Sequence, residues 1–269
     1  MSILEEIFDV EKPVIGMVHL LSLPGSPKYA GGGLQPVLER ALTDAKALME
    51  GGVDGIQFEN FGDKLFVKGV RPETIAFMTA VICRVKEEVD LPHGVCVLMS
   101  GISALCVAKA TGGKWIRAPY YTEVYASYVG LVEGEAAEIL RKRRDIDASE
   151  IRIFADVHIK HAHPLLQRPI EDAAKDAVEM ALADAVIVTG KATGSPADVE
   201  DVKRVKSILA DTPVLVGSGV NVNNIDKYWE YCDGFIVGTS LKIGGLTENP
   251  VDIKRVKTFM GRVRELRSR

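Results

Sequence analysis

Long hydrophobic runs are missing from this 269-residue chain. No stretch approaches the roughly 18 uninterrupted apolar residues that a membrane-spanning helix requires. The opening residues, MSILEEIFDVEKP, are acidic and carry no basic leader, so they are not read as a signal peptide. Cysteine is scarce. Cys83, Cys96, Cys106 and Cys232 form no C-x-x-C pair and sit among apolar neighbours. They are expected to be small buried hydrophobes in a reducing, cytoplasmic setting rather than a disulfide or metal framework. Excess positive charge is absent too: 33 Lys and Arg face 37 Asp and Glu, for a net charge of −4. That balance argues against a general nucleic-acid binder, which carries a strongly basic patch.

What the chain does have is apolar residues, 47% of the total, enough for a large core. At roughly 150 residues per domain the length suits one or two domains, and α/β barrels of ~250 residues form one. Eight short apolar runs are expected to be strands: 13–20, 55–60, 94–99, 114–119, 151–160, 185–190, 213–219 and 234–240. Amphipathic stretches separate them. In VLERALTDAKALMEGG, Val37, Leu38, Ala41, Leu42, Ala45, Leu48 and Met49 recur at helical spacing, and Gly51 and Gly52 stop the helix. Several other helical stretches open with Pro followed by an acid, a helix-start pattern. The helix after the seventh strand, NIDKYWEYC, reads as short.

Strands alternating with helices imply parallel pairing through right-handed crossovers. Eight such units in one domain predict an α/β fold of the (β/α)8 TIM-barrel type spanning 1–269. An open dinucleotide-binding sheet would place G-x-G-x-x-G after the first strand, where LLSLPGSPKYAGGG stands instead. The region about 120–150 exceeds a standard crossover and is expected to supply a loop or helix over the barrel mouth.

Barrel strands alternate between the interior and the helix layer, and chemistry gathers at their C-terminal ends. In ADVHIKH, Ala155, Val157 and Ile159 are expected to face the helices, with Asp156, His158 and Lys160 climbing toward the mouth. Three such groups are costly to bury without mutual pairing or a functional cavity. A paired structural network is the plain alternative. Other strand ends add His19, Glu59, Arg117 and Thr189, with Lys191 just beyond. His19, Glu59, Asp156, His158 and Lys160 form the candidate acid/base set. Asn60, Arg117, Thr189 and Lys191 are candidate substrate contacts.

Two glycine-rich turns close the seventh and eighth strands: Gly217, Ser218 and Gly219, then Gly238, Thr239 and Ser240. The loops in these positions commonly hold phosphate in barrel enzymes, because small residues let backbone N–H groups approach an anion. No cofactor is required by this reading. A divalent ion on His19, Glu59, Asp156 and His158 is chemically sensible, and His161-Ala-His163 has a metal-binding spacing, but the chain has only five histidines and no metal is assigned. The basic stretches 141–144 and 253–269 are solvated faces first and membrane or phosphate contacts second.

The strings VIGMVHLLSLPGSP, DAKALMEGGVDGIQFENFGD, ADVHIKHAHPL, AVIVTGKATG, PVLVGSGV and DGFIVGTSLKIGG…NPVDIKRV resemble the BtpA/SgcQ family, in order from Val14 to Val256. The resemblance implies a ribulose-phosphate-binding type of barrel, sometimes labelled phosphoribosylanthranilate isomerase-like. It also implies kinship with a cyanobacterial factor needed to accumulate photosystem I and with proteins encoded beside bacterial sugar transporters. His19, Glu59, Asn60, Asp63, Asp156, Lys160, His161 and both glycine turns stand where the family pattern has them. One departure is Met99-Ser100-Gly101, where the family commonly reads Arg-Asn-Asp.

The leading expectation is a cytoplasmic enzyme acting on a small phosphorylated sugar or nucleotide-like compound. Glu59 or Asp156 would be the base, and Lys160 or His158 would polarise a carbonyl, with a Schiff base on Lys160 as the sharper variant. The partner expected is that small molecule, with no nucleic acid, and with other copies of the chain in a homo-oligomer. A non-catalytic assembly factor binding protein or a membrane surface is the alternative from another class, and a metal-dependent hydrolase is the third.

Overall fold

Proline near its start and a left-handed glycine at its end bracket the first long helix, as the sequence signals require. Pro36 sits in the first turn of α2 (Gln35–Gly51), and Gly52 caps it at φ 89°. Val37, Leu38, Ala41, Ala45 and Leu48 face inward along it. The computed structural model, which describes residues 2–269, repeats this unit around a closed ring of eight parallel strands.

In chain order the elements are α1 (Ile3–Phe8), β1 (Val14–His19), α2, β2 (Gly55–Glu59), α3 (Pro72–Lys86), β3 (His93–Cys96), α4 (Gly101–Thr111) and β4 (Trp115–Ala118). There follow β5 (Val124–Ser127), β6 (Gly130–Glu133), α5 (Ala136–Asp145), β7 (Arg152–Val157), β8 (Ala162–Pro164), α6 (Ile170–Glu179) and β9 (Ala185–Val188). The chain ends with α7 (Val199–Ile208), β10 (Val214–Val216), β11 (Gly234–Val237) and α8 (Ile253–Arg267). The barrel runs β1-β2-β3-β4-β7-β9-β10-β11 and closes back on β1. All eight expected strands are present, so the fold is a (β/α)8 barrel. Between β10 and β11 two short 3-10 turns, Ile225–Lys227 and Trp229–Tyr231, replace a helix.

Inward residues fill the barrel with Ile15, Met17, Trp115, Phe154, Ile187, Leu215 and Ile236. Trp115 stacks on Phe154 and donates to Gln57 Oε1 at 3.0 Å. Its ring fits only because residue 94 on the neighbouring strand is glycine: a Cβ there would lie 2.1 Å from the indole. The N-terminal end is closed by α1, whose Leu4 and Phe8 join this interior cluster, with Phe8 5.1 Å from Trp115. A second, larger apolar layer lies between the strands and the outer helices.

The long region after β4, expected to supply a loop or helix over the mouth, ends in α5 and begins differently. Its first part is a hairpin, β5 and β6, to which β8 adds as a third antiparallel strand. Tyr125 and Val132 from this small sheet pack on Met99, Tyr120 and Ile159 at the mouth. Cys83 departs from the expected burial: it is exposed on α3, while Cys96 and Cys232 are buried. No helix among the described residues is long and apolar enough to cross a membrane. On α8, Val256, Phe259, Met260, Val263 and Leu266 are buried. Arg262 pairs with Asp226, and Arg267 pairs with Asp54, so part of its basic face is spent within the barrel wall.

Candidate active site

Two residues beyond the apolar layer, each strand presents its next inward position. Met17 gives way to His19, Gln57 to Glu59, Trp115 to Arg117, Phe154 to Asp156, Ile187 to Thr189, Leu215 to Gly217 and Ile236 to Gly238. The period of two along a strand turns an apolar plug into a polar tier within two residues. Register fixes the neighbours: His19 lies beside Glu59, and Glu59 beside Cys96.

Arg117 and Asp156 consume each other. Nε and Nη2 of the guanidinium each donate to one carboxylate oxygen at 2.7 Å, with both residues buried. Burial works against the guanidinium charge, but the Asp156 carboxylate outweighs it and holds Arg117 above its ordinary range. This corrects the expectation that Asp156 is an available base. Paired in both lone-pair directions and shut from solvent, it serves as a counterion. Arg117 still lines an inner cavity.

The expected alternation of ADVHIKH ends at Val157. His158 has φ 47°, a left-handed turn that stops the strand and reverses the side-chain order. Ile159 therefore faces the mouth rather than the helices, and Lys160 follows it into the same cavity. His158 is corrected in turn: it lines neither the mouth nor the inner cavity, its Nε2 is buried without a partner, and its backbone meets the Tyr125 hydroxyl. His161 also has positive φ, and its Nε2 accepts from the Thr193 backbone N–H at 3.1 Å. The four residues considered for a divalent ion are thus not gathered. Among the described residues no three His, Cys, Asp or Glu side chains converge in a way that would hold one.

Glu59, Lys160 and His19 do meet. An inner cavity of about 30 Å3 is lined by all three, by Arg117, and by the turns Gly217–Gly219 and Gly238–Thr239. That volume suits a water or one small polar group. Above it opens a mouth cavity of about 650 Å3 that shares Glu59 and Lys160 and is walled by Phe66, Met99, Tyr120, Tyr128 and Ile159. Burial pushes the Lys160 amine below its usual range, Arg117 adds to this, and Glu59 and Asp156 oppose it. Burial likewise pushes His19 well down, with Lys242 and Lys160 contributing, so its ring is neutral at neutral pH. The ring stacks on Phe61 at 4.5 Å, and Nδ1 is buried without a partner.

The glycine turns stand beside this group. Their hydroxyls are committed to the loops themselves. Ser218 accepts from the Gly190 N–H at 2.6 Å and donates to the Ser195 carbonyl at 2.9 Å. Ser240 donates to the Val220 carbonyl at 2.7 Å, and Thr239 shares a 2.9 Å bond with Thr247. Backbone donors are what remain: among the described residues nothing accepts from the N–H groups of Gly219, Thr239 and Ser240. Gly219 is required here, since φ is 67° and a Cβ would lie 2.3 Å from Pro196 N. These turns also border a cavity of about 580 Å3 that receives Lys254, Arg255 and Thr258 from α8.

The remaining candidates lie apart. Asn60, a candidate substrate contact, donates to Asp63 at 3.1 Å, accepts from the Leu98 N–H at 2.7 Å, and borders a separate small cavity. Thr189 points inward against Gly217 with its hydroxyl unpartnered. Lys191 is exposed, lines neither the mouth nor the inner cavity, and offers only its carbonyl to His161. At the departure from the family pattern, Met99 joins the apolar wall, Ser100 caps α4 through the Ser103 N–H, and the Gly101 N–H donates to Glu135 at 2.7 Å. Thr193 and Gly194, in a stretch read from sequence only as a third anion-friendly loop (189–196), border the mouth and inner cavities and the inner and outer ones respectively. The TGKATG string was their signal.

The match to known proteins is broad. The BtpA family model covers residues 10–265. The chain belongs to the BtpA family. An uncharacterised protein of Thermococcus kodakarensis is 44% identical over 95% of this chain and 97% of its own length. The photosystem I biogenesis protein BtpA of Synechocystis is 42% identical over 95% of this chain and 89% of its own. The putative sgc region protein SgcQ of Escherichia coli is 36% identical over 99% and 100%. Among solved structures, a native KDPGal structure superposes with TM-score 0.60 at 14% identity, covering 96% of this BtpA-family chain and 97% of the other. Thiamine phosphate pyrophosphorylase from Pyrococcus furiosus gives 0.58 at 15%, covering 95% and 96%. N-(5'-phosphoribosyl)anthranilate isomerase from the same organism gives 0.54 at 14%, covering 94% and 99%. These likenesses establish the barrel and nothing finer.

Proposed function

We propose that this BtpA-family barrel is an enzyme acting on a small phosphorylated compound, with proton transfer at Glu59. The observation that carries the reading is the inner cavity, where an unpaired carboxylate, a neutral imidazole and a lysine share one space with two turns rich in free backbone N–H groups. An anion seated on Gly219, Thr239 and Ser240 would direct the rest of the molecule toward Glu59 and Lys160. Two barrels of similar fold carry phosphate-bearing compounds in their names, which agrees with the reading without deciding it.

The chemical division of labour follows from the surroundings. Glu59 has no ion-pair partner among the described residues, so its lone pairs are available to take a proton. His19, held neutral, donates or accepts one hydrogen bond to a polar group at the cavity floor. Arg117, fixed by Asp156, supplies permanent positive charge where negative charge develops on a carbonyl oxygen.

The test is binding by calorimetry, using inorganic phosphate, glycerol 3-phosphate and unphosphorylated glycerol. The reading expects the phosphorylated probe to bind and glycerol not to, and expects Lys254→Glu with Arg255→Glu to weaken it. Equal or absent binding of all three would remove the phosphate from the proposal. A non-catalytic binding role draws on the exposed apolar residues Leu65, Tyr128 and Leu246 at the mouth. It expects Glu59→Gln to leave all cellular function intact, which a growth comparison of the gene replacement reads directly.

A further inference from the structure

Two lysines at this end of the barrel are withdrawn from solvent, and the fold treats them differently. Lys242 is fully buried and donates to Asp44 at 3.0 Å, while the second Asp44 oxygen accepts from the Val251 N–H at 2.7 Å. That is a finished structural pair. Lys160 has no ion pair and no hydrogen bond to its amine among the described residues, and it projects into both the inner and the mouth cavities. The Arg117 guanidinium, of the same sign, lines the inner cavity with it. The other carboxylate bordering the mouth, Glu248, is spent on Lys64 at 2.9 Å, which leaves Glu59. The walls above the amine are apolar: Met99, Tyr120, Tyr128 and Ile159.

An ammonium needs partners when it leaves water, and this fold supplies them to Lys242 and withholds them from Lys160. A free amine in a largely apolar cavity is a nucleophile toward carbonyl carbon. We infer that Lys160 forms an imine with a phosphorylated aldehyde or ketone and that Glu59 moves the protons of that step. This rests on the phosphorylated-substrate reading above and narrows it to carbonyl compounds.

The chemistry balances without an oxidant or reductant. The Lys160 nitrogen lone pair attacks the carbonyl carbon, the C=O π pair moves to oxygen, and the nitrogen's proton passes to Glu59. Glu59 returns it to the new alkoxide, giving a carbinolamine; reprotonated from solvent, Glu59 then donates a second proton to that hydroxyl, which leaves as water while the nitrogen lone pair closes the C=N bond. The resulting iminium draws the electron pair of an adjacent bond toward nitrogen, and addition of water later restores the free amine and the carbonyl.

Reductive trapping tests it. The whole protein is incubated with glyceraldehyde 3-phosphate or with glyceraldehyde, each with sodium cyanoborohydride, at several pH values, and the labelled lysines are mapped by peptide mass spectrometry. The expected result is labelling at Lys160 several-fold above exposed Lys191 near neutral pH, since a lowered pKa raises the neutral, nucleophilic fraction there. The phosphorylated aldehyde is expected to label it at the lower concentration. Lys160→Arg should lose the site, and Lys191→Arg should keep it. Should Lys160→Arg fail to fold, the wild-type map and its pH dependence still decide the matter. Labelling of Lys160 no stronger than Lys191 overturns the imine, and calorimetric binding of glycerol 3-phosphate then still supports the wider reading. Strong Lys160 labelling by both aldehydes alike supports the imine and removes the phosphate.

Discussion

Arg117 and Asp156 face each other across β4 and β7 through two parallel 2.7 Å hydrogen bonds, buried at the floor of the mouth. Each satisfies the other's charge, so neither can be changed alone. Asp156→Asn leaves a buried guanidinium without its counterion and is expected to cost about 3–5 kcal/mol in urea unfolding. Replacing both with apolar residues of similar volume is expected to recover most of that loss. A single substitution costing under about 1 kcal/mol would mean the pair is solvated and not the counterion arrangement described.

Glu59 carries the opposite expectation. It has no partner to lose, so Glu59→Gln should leave the unfolding midpoint nearly unchanged or raise it. The same change removes a negative charge that favours the ammonium of Lys160. The Lys160 pKa should therefore fall further, and trapping at Lys160 should extend to lower pH. If Glu59 is the general base proposed above, Glu59→Gln is expected to slow turnover of a substrate by about 10²- to 10⁴-fold. A Lys160 titration that rises or stays fixed in this variant would contradict the proximity.

Acid stability should show the buried histidines. His93 opens β3, meets Thr111 Oγ1 at 3.1 Å, and is pushed down to about 4 by burial, with Lys86 and Lys114 contributing. Between pH 6.5 and 4 the unfolded chain takes up a proton that the folded imidazole refuses, so stability falls as pH drops through that window. One such group is expected to account for about 3 kcal/mol across it. His19 acts in the same direction. Unfolding free energies measured from pH 7 to 4 should decline less steeply in His93→Gln than in the parent. Parallel curves would contradict this.

Gly94 tests the barrel's filling. A methyl group at this position meets the Trp115 indole at 2.1 Å, and the ring is already held by Phe8, Phe154 and Gln57. Gly94→Ala is expected to destabilise by about 1–3 kcal/mol or more through overpacking. Adding Trp115→Phe should restore part of it, which a double-mutant cycle in urea would register.

The barrel was legible because strand and helix periods differ and eight alternations leave few topologies. The inward tier was legible for the same reason: Met17 to His19 and Gln57 to Glu59 need only a count of two. What defeated the reading was backbone conformation. Nothing in the composition of ADVHIKH announces the left-handed turn at His158, yet that one dihedral sends Ile159 into the mouth and His158 out of it. Pairing was equally hidden, since Arg117 and Asp156 are 39 residues apart and sequence shows only that both point inward. Short α1 escaped notice because a six-residue helix is too brief for periodicity; its plug role depends on Phe8 reaching Trp115. The hairpin 124–133 was read as a loop or helix over the mouth and not as paired strands, although Gly130 at φ 92° marks its turn.

The most direct trial of the account is a crystal structure of the protein with glycerol 3-phosphate. The phosphate is expected within hydrogen-bond distance of the Gly219, Thr239 and Ser240 N–H groups, with the carbon chain directed toward Glu59 and Lys160. A phosphate bound elsewhere, or a carbon chain turned outward from the barrel axis, would contradict it.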